Sequence, residues 1–367
     1  MSHLQKFRAA MLEKGADAAI IVCKANQKYL SGFDFDDGYV LVTKGKSYLI
    51  TDFRYVEAAV EQRDRDLEVL TPNIGMLNCM RELLEENGCT SVLIEEDAVS
   101  FADYGKYSEK LGKVELVPGA SALLWQLRLY KDEKELETMA RAQAVTDAAF
   151  AHIVNFIKPE MTEIEVALEL EFFMRQNGSD GVAFDTIAVS GTSSSRPHGV
   201  PGRRQLEKGF LTMDFGARVD GYCSDMTRTV IIGKADADMK KLYNTVLRAQ
   251  TESLAAYREG ASCAALDKIA RDIIDAVPEY KGAFGHSLGH GVGLFIHENP
   301  RVSSRAAGDV LERGNVVTCE PGIYLEGKYG CRIEDMVAIR PDGSTYVERA
   351  DRNLMRAPAA VLLEETC

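Results

Sequence analysis

LTMDFGARVDGYCSDMTRTVIIG, residues 211–233, predicts an antiparallel hairpin in the second half of the chain. Two apolar runs flank a polar centre, and the Asp-Gly pair at 220–221 is a strong signal for a tight turn between strands. A turn centred within that pair places Asp214 opposite Thr227, with Asp225 two positions along on the same face. A turn centred one residue earlier places the two aspartates directly opposite each other. Both registers predict two carboxylates on one face of an otherwise apolar sheet.

A second hairpin is predicted at residues 318–339, TCEPGIYLEGKYGCRIEDMVAI, around a glycine-rich turn. A turn centred on Lys328 leaves Glu334 two positions away from the partner of Glu320. A turn centred on Gly327 places the two glutamates directly opposite each other. This hairpin, like the first, therefore presents two carboxylates on one face.

These four acids admit two interpretations. They can be solvated on the polar faces of amphipathic hairpins, or they can converge in the interior. Their neighbours at the same parity are threonines and glycines, which do not form a charged outer face. Four like charges are prohibitively costly to bury unless cations accompany them. Two divalent metal ions supply the matching positive charge and are the simplest neutralisation.

A nitrogen ligand is then expected, and the chain has 6 histidines. Three of them, His286, His290 and His297, lie in the glycine-rich segment GHSLGHGVGLFIHENP at 285–300, where the backbone can approach a ligand closely. A fourth, His198, lies in SSSRPHGVPG, a loop bounded by proline and glycine of the kind that often carries function. These four histidines are the candidate site residues.

The first third of the chain predicts an α/β domain, because strand-like and helix-like runs alternate along it. The predicted elements are a helix around 4–11, strands at 18–23, 39–43, 47–51 and 91–95, and helices at 53–62 and 75–86.

The charged stretch RLYKDEKE at 128–135 marks a boundary, so we place the first domain at 1–125 and the second at 130–367. The second domain begins with a predicted helix at 134–157, and a capping box at Thr162 and Glu165 opens another. Short β-rich runs separated by glycine flank helical sequence at 238–277. The pattern predicts an α+β domain, an antiparallel sheet with flanking helices in two similar halves.

Composition narrows the classes of function. With 43 basic and 56 acidic side chains the net charge is −13, which disfavours nucleic acid or an anionic membrane as a partner. No signal peptide or membrane-spanning run is visible, and the 8 cysteines are scattered singly, so we expect a reduced, cytoplasmic protein. The sequence contains no G-x-S-x-G, H-E-x-x-H or Walker A motif.

Six segments taken in order resemble the pita-bread metallopeptidases, the family of methionine aminopeptidase, prolidase and aminopeptidase P. They are PHG at 197–199, MDFGA at 213–217, SDMTRT at 224–229, GHGVGLFIHE at 289–298, EPGIY at 320–324 and RIED at 332–335. The N-terminal residues look like the creatinase/prolidase-type amino-terminal domain. Together these resemblances favour the branch that acts on Xaa-Pro bonds.

The resemblance implies a site with two divalent metal ions and five ligands. By position, Asp214 would chelate one ion, His290 and Glu320 would hold the other, and Asp225 and Glu334 would bridge both. The positions of His198, His286, His297 and Arg332 match residues that surround the ligands or contact substrate. Oxygen-rich ligation with one imidazole suits Mn²⁺ best, with Co²⁺ or Zn²⁺ as alternatives.

We therefore expect hydrolysis of an Xaa-Pro peptide bond by a hydroxide that bridges the two ions. His297 or His198 would contact the carbonyl oxygen, and Glu320 would pass a proton to the departing nitrogen. The sequence does not decide between an Xaa-Pro dipeptidase and an Xaa-Pro aminopeptidase. A homodimer is implied by the resemblance only. The alternatives are a metal-free amidinohydrolase of the creatinase type and a non-catalytic pita-bread binding module.

Overall fold

The computed structural model describes residues 1–340 and the backbone of a short strand at Thr345–Val347. The remaining C-terminal part of the predicted second domain, including Cys367, lies outside the described residues. The chain divides into two compact units, one at Met1–Arg128 and one from Leu129 onward.

The first unit is a mixed sheet with helices packed on it. The strands are β1 (Ala18–Ile21), β2 (Gly38–Thr43), β3 (Ser47–Thr51), β4 (Leu67–Leu70), β5 (Ser91–Ile94) and β6 (Glu115–Pro118). Within the described residues their order in the sheet is β4-β3-β2-β1-β5-β6; β1–β2 and β2–β3 are antiparallel, and the other pairs are parallel. The helices are α1 (His3–Glu13), α2 (Lys24–Ser31), α3 (Val56–Gln62), α4 (Met76–Glu86), α5 (Phe101–Lys110) and α6 (Ala120–Arg128).

Local sequence patterns explain the helices and strands of the first unit that were predicted. A capping box of Ser2 and Gln5 starts α1, which buries Leu4, Phe7 and Met11 on one face. All four residues of β1 are buried, as expected for a central strand covered on both faces. The helix α2, the edge strands β4 and β6 and the helices α5 and α6 were not predicted.

Up to residue 347, the described part of the second unit contains four long helices and a set of short strands. The helices are α7 (Glu133–Phe156), α8 (Glu163–Gln176), α9 (Ala237–Leu254) and α10 (Cys263–Asp275). The strands are β7 (Gly181–Val182), β8 (Ile187–Ser190), β9 (Gly209–Phe215), β10 (Ala217–Val219), β11 (Tyr222–Cys223), β12 (Met226–Ile232), β13 (Gly289–Gly291), β14 (Glu298–Val302), β15 (Val316–Cys319), β16 (Gly322–Leu325), β17 (Tyr329–Arg332), β18 (Asp335–Ile339) and β19 (Thr345–Val347).

This unit is built from two similar halves. In the first half, α7 and α8 precede an antiparallel sheet of order β12-β9-β8; in the second, α9 and α10 precede one of order β14-β13-β15-β18-β19. The predicted capping box starts α8, where Thr162 Oγ1 accepts a hydrogen bond from the backbone of Glu165. One apolar cluster packs α7 and α8 against β9 and β12, and another packs α9 and α10 against the second sheet. Each helix pair therefore supports one carboxylate-bearing hairpin.

The registers of both hairpins resolve the alternatives left open by the sequence. Asp214 pairs with Thr227, so the first turn is centred between Asp220 and Gly221. In the second hairpin, Thr318 pairs with Met336 on one side of the acids, and Gly322 pairs with Arg332 on the other. Both pairs correspond to a turn centred on Gly327. The glutamates at 320 and 334 therefore lie opposite each other, and the register centred on Lys328 is wrong.

No helix within the described ranges combines the length and apolar character needed to cross a membrane. The 7 cysteines that the structure describes are all free thiols, and five of them are buried.

Candidate active site

A cavity of about 400 Å³ in the second unit gathers the residues selected from the sequence. It receives side chains from both hairpins, from the glycine-rich segment at 285–300 and from the loop that follows the short 3₁₀ helix Gly191–Ser195. All nine predicted site residues line it: His198, Asp214, Asp225, His286, His290, His297, Glu320, Arg332 and Glu334. The acids therefore face inward together, and the interpretation that they are solvated on outer faces is wrong.

His290 lies on β13 and is held in the tautomer that a metal ligand needs. Its Nδ1 is 3.0 Å from the carbonyl oxygen of Gly291, which can only accept, so Nδ1 carries the hydrogen. Its Nε2 then presents a lone pair, 3.5 Å from Asp225 Oδ2 and 3.4 Å from Glu320 Oε1. Burial lowers the pKa of His290 to about 3, so the ring is neutral at physiological pH.

Three carboxylates close to this imidazole are held in an environment that penalises their charge. Ligand atoms of Asp225, His290 and Glu334 all lie within 4.8 Å of one another. Burial raises the pKa of Asp225 and of Glu334 well above their ordinary values, and the charges of the neighbouring acids add to the effect. Burial likewise raises the pKa of Glu320 to about 8. Bound cations would remove both penalties, and the donor set of carboxylate oxygens and one imidazole nitrogen fits divalent metal ions.

Asp214 is the fourth acid, and only one of its oxygens is hydrogen-bonded. Its Oδ2 accepts from Arg332 Nη2 at 2.6 Å. Its Oδ1 is buried and has no hydrogen-bond partner in the part of the chain that the structure describes. A buried carboxylate oxygen without a donor is costly, and a metal ion in the cavity would satisfy it. This orphaned atom is a second indication that the donor set fits cations.

Arg332 is the guanidinium that counterbalances these acids inside the cavity. It donates through Nε to Thr227 Oγ1 at 2.9 Å, and that hydroxyl donates to Glu334 Oε2 at 2.7 Å. It also donates through Nη1 to the carbonyl oxygen of Pro197, which precedes His198. Arg332 thus links one acid from each hairpin to the loop that carries a candidate histidine.

Tyr324 is a site residue that the sequence reasoning missed, although it lies within the EPGIY segment. Its hydroxyl accepts from Arg332 Nη1 at 2.8 Å and lies 3.1 Å from His286 Nε2. The Nδ1 of His286 is 2.9 Å from the carbonyl oxygen of Ser287, so Nδ1 carries the hydrogen and the tyrosine donates to Nε2. Burial lowers the pKa of His286 to about 4. A neutral, fixed imidazole therefore lies beside the acids.

The two remaining histidines lie at the mouth of the cavity. His198 and His297 are exposed, and the ring of His297 meets that of His290 edge to face, with centroids 4.4 Å apart. Neither is buried among the carboxylates. Their imidazoles are therefore accessible to a bound molecule.

Two buried ion pairs support the site from outside the cavity, and neither was predicted. Arg228 Nη2 is 2.8 Å from Asp335 Oδ1, and Arg228 also donates to the backbone carbonyl of Glu334. Lys131 Nζ is 3.0 Å from Glu298 Oε2, next to His297 in sequence. Because the partners in each pair are separated by more than 100 residues, no local pattern in the sequence predicts either pair.

The glycines of the segment at 285–300 make room for these contacts. A Cβ placed on Gly289 would lie 2.0 Å from the carbonyl oxygen of Thr318, and one on Gly293 would lie 2.5 Å from Glu298 Oε2. Side chains at these positions would clash with backbone or with the buried carboxylate. The backbone at these glycines thus approaches neighbouring protein atoms closely, and the predicted close approach to a ligand stays a prediction.

The walls of the cavity include further residues that were not selected from the sequence. They are Phe184, Asp185, Ile187, Pro197, Ser287, Ile296 and Arg301. Arg301 pairs with His290 in the β13–β14 register, and directly opposed residues of an antiparallel pair point to the same face. Because that pairing adjoins an irregularity in the ladder, the sequence gives no signal for it.

Comparison with known proteins identifies the family. The model of Metallopeptidase family M24 matches residues 137–341, and that of the Creatinase/Prolidase N-terminal domain matches residues 3–130. The chain belongs to metallopeptidase family M24. The predicted resemblance is thereby confirmed, and so is the predicted fold class of an α/β domain followed by a pita-bread domain.

Several relatives of this M24 chain match it over nearly its whole length. It is 38% identical to an uncharacterized peptidase of Bacillus subtilis, over 96% of this chain and 99% of that protein. The solved structure of an Xaa-Pro dipeptidase from Bacillus anthracis is 37% identical with a TM-score of 0.91, covering 96% of this chain and 99% of that one. The X-Pro aminopeptidase of Thermotoga maritima is 34% identical with a TM-score of 0.87, covering 93% and 98% respectively.

Proposed function

We propose that the chain is a binuclear metallopeptidase that hydrolyses the peptide bond between any residue and a following proline. The observation that carries the proposal is the convergence of four acids and one neutral histidine on a single buried cavity. Relatives named as an Xaa-Pro dipeptidase and an X-Pro aminopeptidase support the choice of substrate.

The division of the five proposed ligands between two divalent cations follows the family resemblance. We assign Asp214 to one cation, His290 and Glu320 to the other, and Asp225 and Glu334 to both. The Oδ1 of Asp214, which has no hydrogen-bond partner among the described residues, and the mutual charge repulsion of the other acids support the binding of cations by this set of residues. Mn²⁺ suits such an oxygen-rich set best, and Co²⁺ or Zn²⁺ are alternatives.

When bound, the cations would polarise the scissile carbonyl group and lower the pKa of a water molecule towards neutrality. The protein's own residues orient the substrate and move protons around that centre. Glu320 has one oxygen 3.4 Å from His290 and another 3.8 Å from His286 Nδ1, and we propose that it carries a proton to the departing proline nitrogen. His297 and His198, at the mouth, are proposed to donate hydrogen bonds to the carbonyl oxygen of the bond that breaks.

Arg332 and Tyr324 would keep these groups in place. The guanidinium fixes Oδ2 of Asp214, which leaves Oδ1 free to hold a cation. The tyrosine hydroxyl holds the ring of His286 through its Nε2. Positioned donors of this kind contribute to catalysis because their geometry is fixed before the reaction begins.

The experiment compares Asp225→Asn with the control Asp220→Asn, which changes an exposed aspartate in the turn of the same hairpin. We expect wild type and the control to hydrolyse Ala-Pro or Ala-Pro-Ala with Mn²⁺ present, to ignore Ala-Ala-Ala, and to contain two metal ions per chain. Asp225→Asn should lose both turnover and at least one ion, as measured by elemental analysis.

The proposal fails if Asp225→Asn keeps wild-type activity and metal content. Activity that survives complete removal of metal by EDTA would refute the dependence on metal. Failure to cleave any Xaa-Pro peptide in the metal-loaded state would exclude the substrate class.

A further inference from the structure

A second cavity, of about 640 Å³, adjoins the candidate active site. The two cavities share three lining residues, His286, Ser287 and Arg301. The remaining lining residues of the second cavity are Arg271, Gly285, Ser303, Ser304 and Arg305. Its walls thus combine arginines and serine hydroxyls, and none of the lining residues is acidic.

Two of the three arginines that line the second cavity are not engaged by other described groups of the protein and can bind an anionic ligand. Arg271 is engaged, because it pairs with Asp267 at 2.5 Å and donates to backbone carbonyls. Arg301 and Arg305 are exposed, and within the described ranges neither side chain makes a hydrogen bond or an ion pair. Uncommitted guanidinium groups in a chain whose net charge is −13 indicate a place for an anion.

The position of Arg301 connects this charge to the reacting centre. It lies directly opposite His290 on the neighbouring strand, so both side chains are on one face of the sheet. Arg305 lies four residues further along the chain and lines only the second cavity. A molecule bound beside His290 therefore extends past Arg301 before it reaches Arg305.

A peptide fits this arrangement in one direction. Its amino-terminal part has no negative charge for the arginines to bind and therefore lies towards His290. Its carboxyl terminus is anionic and is attracted to the arginines. Because the scissile bond precedes proline, the residue after proline would lie on the arginine side.

We propose that the second cavity binds the segment of a peptide substrate that follows the proline, through an anionic group that Arg305 recognises. This rests on the proposed function. The substrate class is then peptides of three or more residues that carry negative charge just after proline. That charge comes from the terminal carboxylate of a tripeptide or from an acidic side chain.

Steady-state kinetics on four peptides tests the proposal and separates the two sources of charge. They are Ala-Pro-Gly as the free acid, Ala-Pro-Gly-amide, Ala-Pro-Glu-amide and Ala-Pro-Gln-amide. For wild type we expect the KM of Ala-Pro-Gly-amide to exceed that of the free acid about tenfold, the usual effect of one charge-assisted hydrogen bond. A lower KM for the Glu amide than for the Gln amide would show that a side chain can supply the charge.

Arg305→Gln should bring the ratio of amide to free-acid KM close to one, whereas the control Arg258→Gln, at another exposed arginine, should keep the wild-type ratio. Equal KM values for the acid and its amide in wild type would overturn the proposal, as would a wild-type ratio in Arg305→Gln. Calorimetric binding of the same peptides to metal-loaded protein supplies a readout independent of turnover. Charge-selective binding without cleavage would refute the proposed function and leave this inference standing.

Discussion

Replacement of Arg228 by methionine should destabilise the second unit while leaving the cavity's own side chains unchanged. Arg228 follows Thr227 on β12, and Asp335, the first residue of β18, follows Glu334. Because successive side chains of a strand point to opposite faces, this pair lies on the opposite face from the site. Arg228 is 2% exposed and Asp335 is fully buried. The variant leaves the Asp335 carboxylate buried without the guanidinium that accompanies it.

The expected cost follows from that burial. Removing one partner of a buried ion pair typically costs about 3–5 kcal/mol. Asp335 keeps the hydrogen bond from Gln250 Nε2 at 2.6 Å, which favours the lower end, about 3 kcal/mol. For a unit of this size each kcal/mol lowers Tm by about 2–4 °C, so we expect a loss of about 6–12 °C.

Thermal melting followed by circular dichroism measures this loss on the full chain. The matched control is Arg141→Met, because Arg141 pairs with Asp220 at 2.6 Å with both side chains more than half exposed. Exposed pairs contribute at most about 1 kcal/mol, so the control should melt within a few degrees of wild type. The double variant Arg228→Met with Asp335→Asn should recover most of the loss. The reasoning would be refuted if Arg228→Met melted at the same temperature as the Arg141→Met control. It would also be refuted if the double variant were no more stable than Arg228→Met alone.

Two further predictions concern the same unit. Lys131→Met should lower Tm by a similar amount because Glu298 stays buried without its ammonium partner, and adding Glu298→Gln should restore most of it; a double variant as unstable as the single would contradict this. In metal-free protein, Tm should fall as pH rises from 7 to 8.5, because the folded state holds a proton on Glu320 up to a pKa of about 8 that the unfolded state has already released. His290 is neutral in the folded state, and in the unfolded state its ordinary pKa of about 6.5 leaves it mostly neutral above pH 7, so it opposes this fall only slightly. Glu320→Gln should reduce the slope, and an unchanged slope would show that another group is responsible.

The sequence predicted the site well where its residues lie in short-range patterns. Each hairpin turn allowed two registers. In the first hairpin the structure has the one that places Asp214 opposite Thr227, and in the second it has the one centred on Gly327. The assignment of individual ligands came from the family resemblance and remains a prediction. Local sequence therefore predicted the two hairpins and placed two acids on one face of each, but by itself it determined neither the register nor which faces lie inside.

The residues that were missed depend on contacts between distant parts of the chain. Tyr324 meets His286 only after β16 has packed beside the glycine-rich segment, and Lys131 meets its glutamate across 167 positions. In the first unit, α5 escaped prediction because its surface is largely polar and Phe101, its first residue, is 93% exposed. The predicted helical run at 238–277 proved to be two helices, which a turn near Gly260 separates.

The turn centred on Gly327 has a consequence for how the chain can vary in length. Glu326, Gly327 and Lys328 are all exposed, and the paired strands on either side hold the two glutamates in register. Residues inserted at this tip would extend the loop into solvent and leave the facing acids as they are. A single residue inserted within β17 would instead turn every following side chain to the other face and remove Glu334 from the cavity. The tip of this hairpin is thus the natural point for attaching a tag or a reporter domain, and the strand beside it tolerates neither.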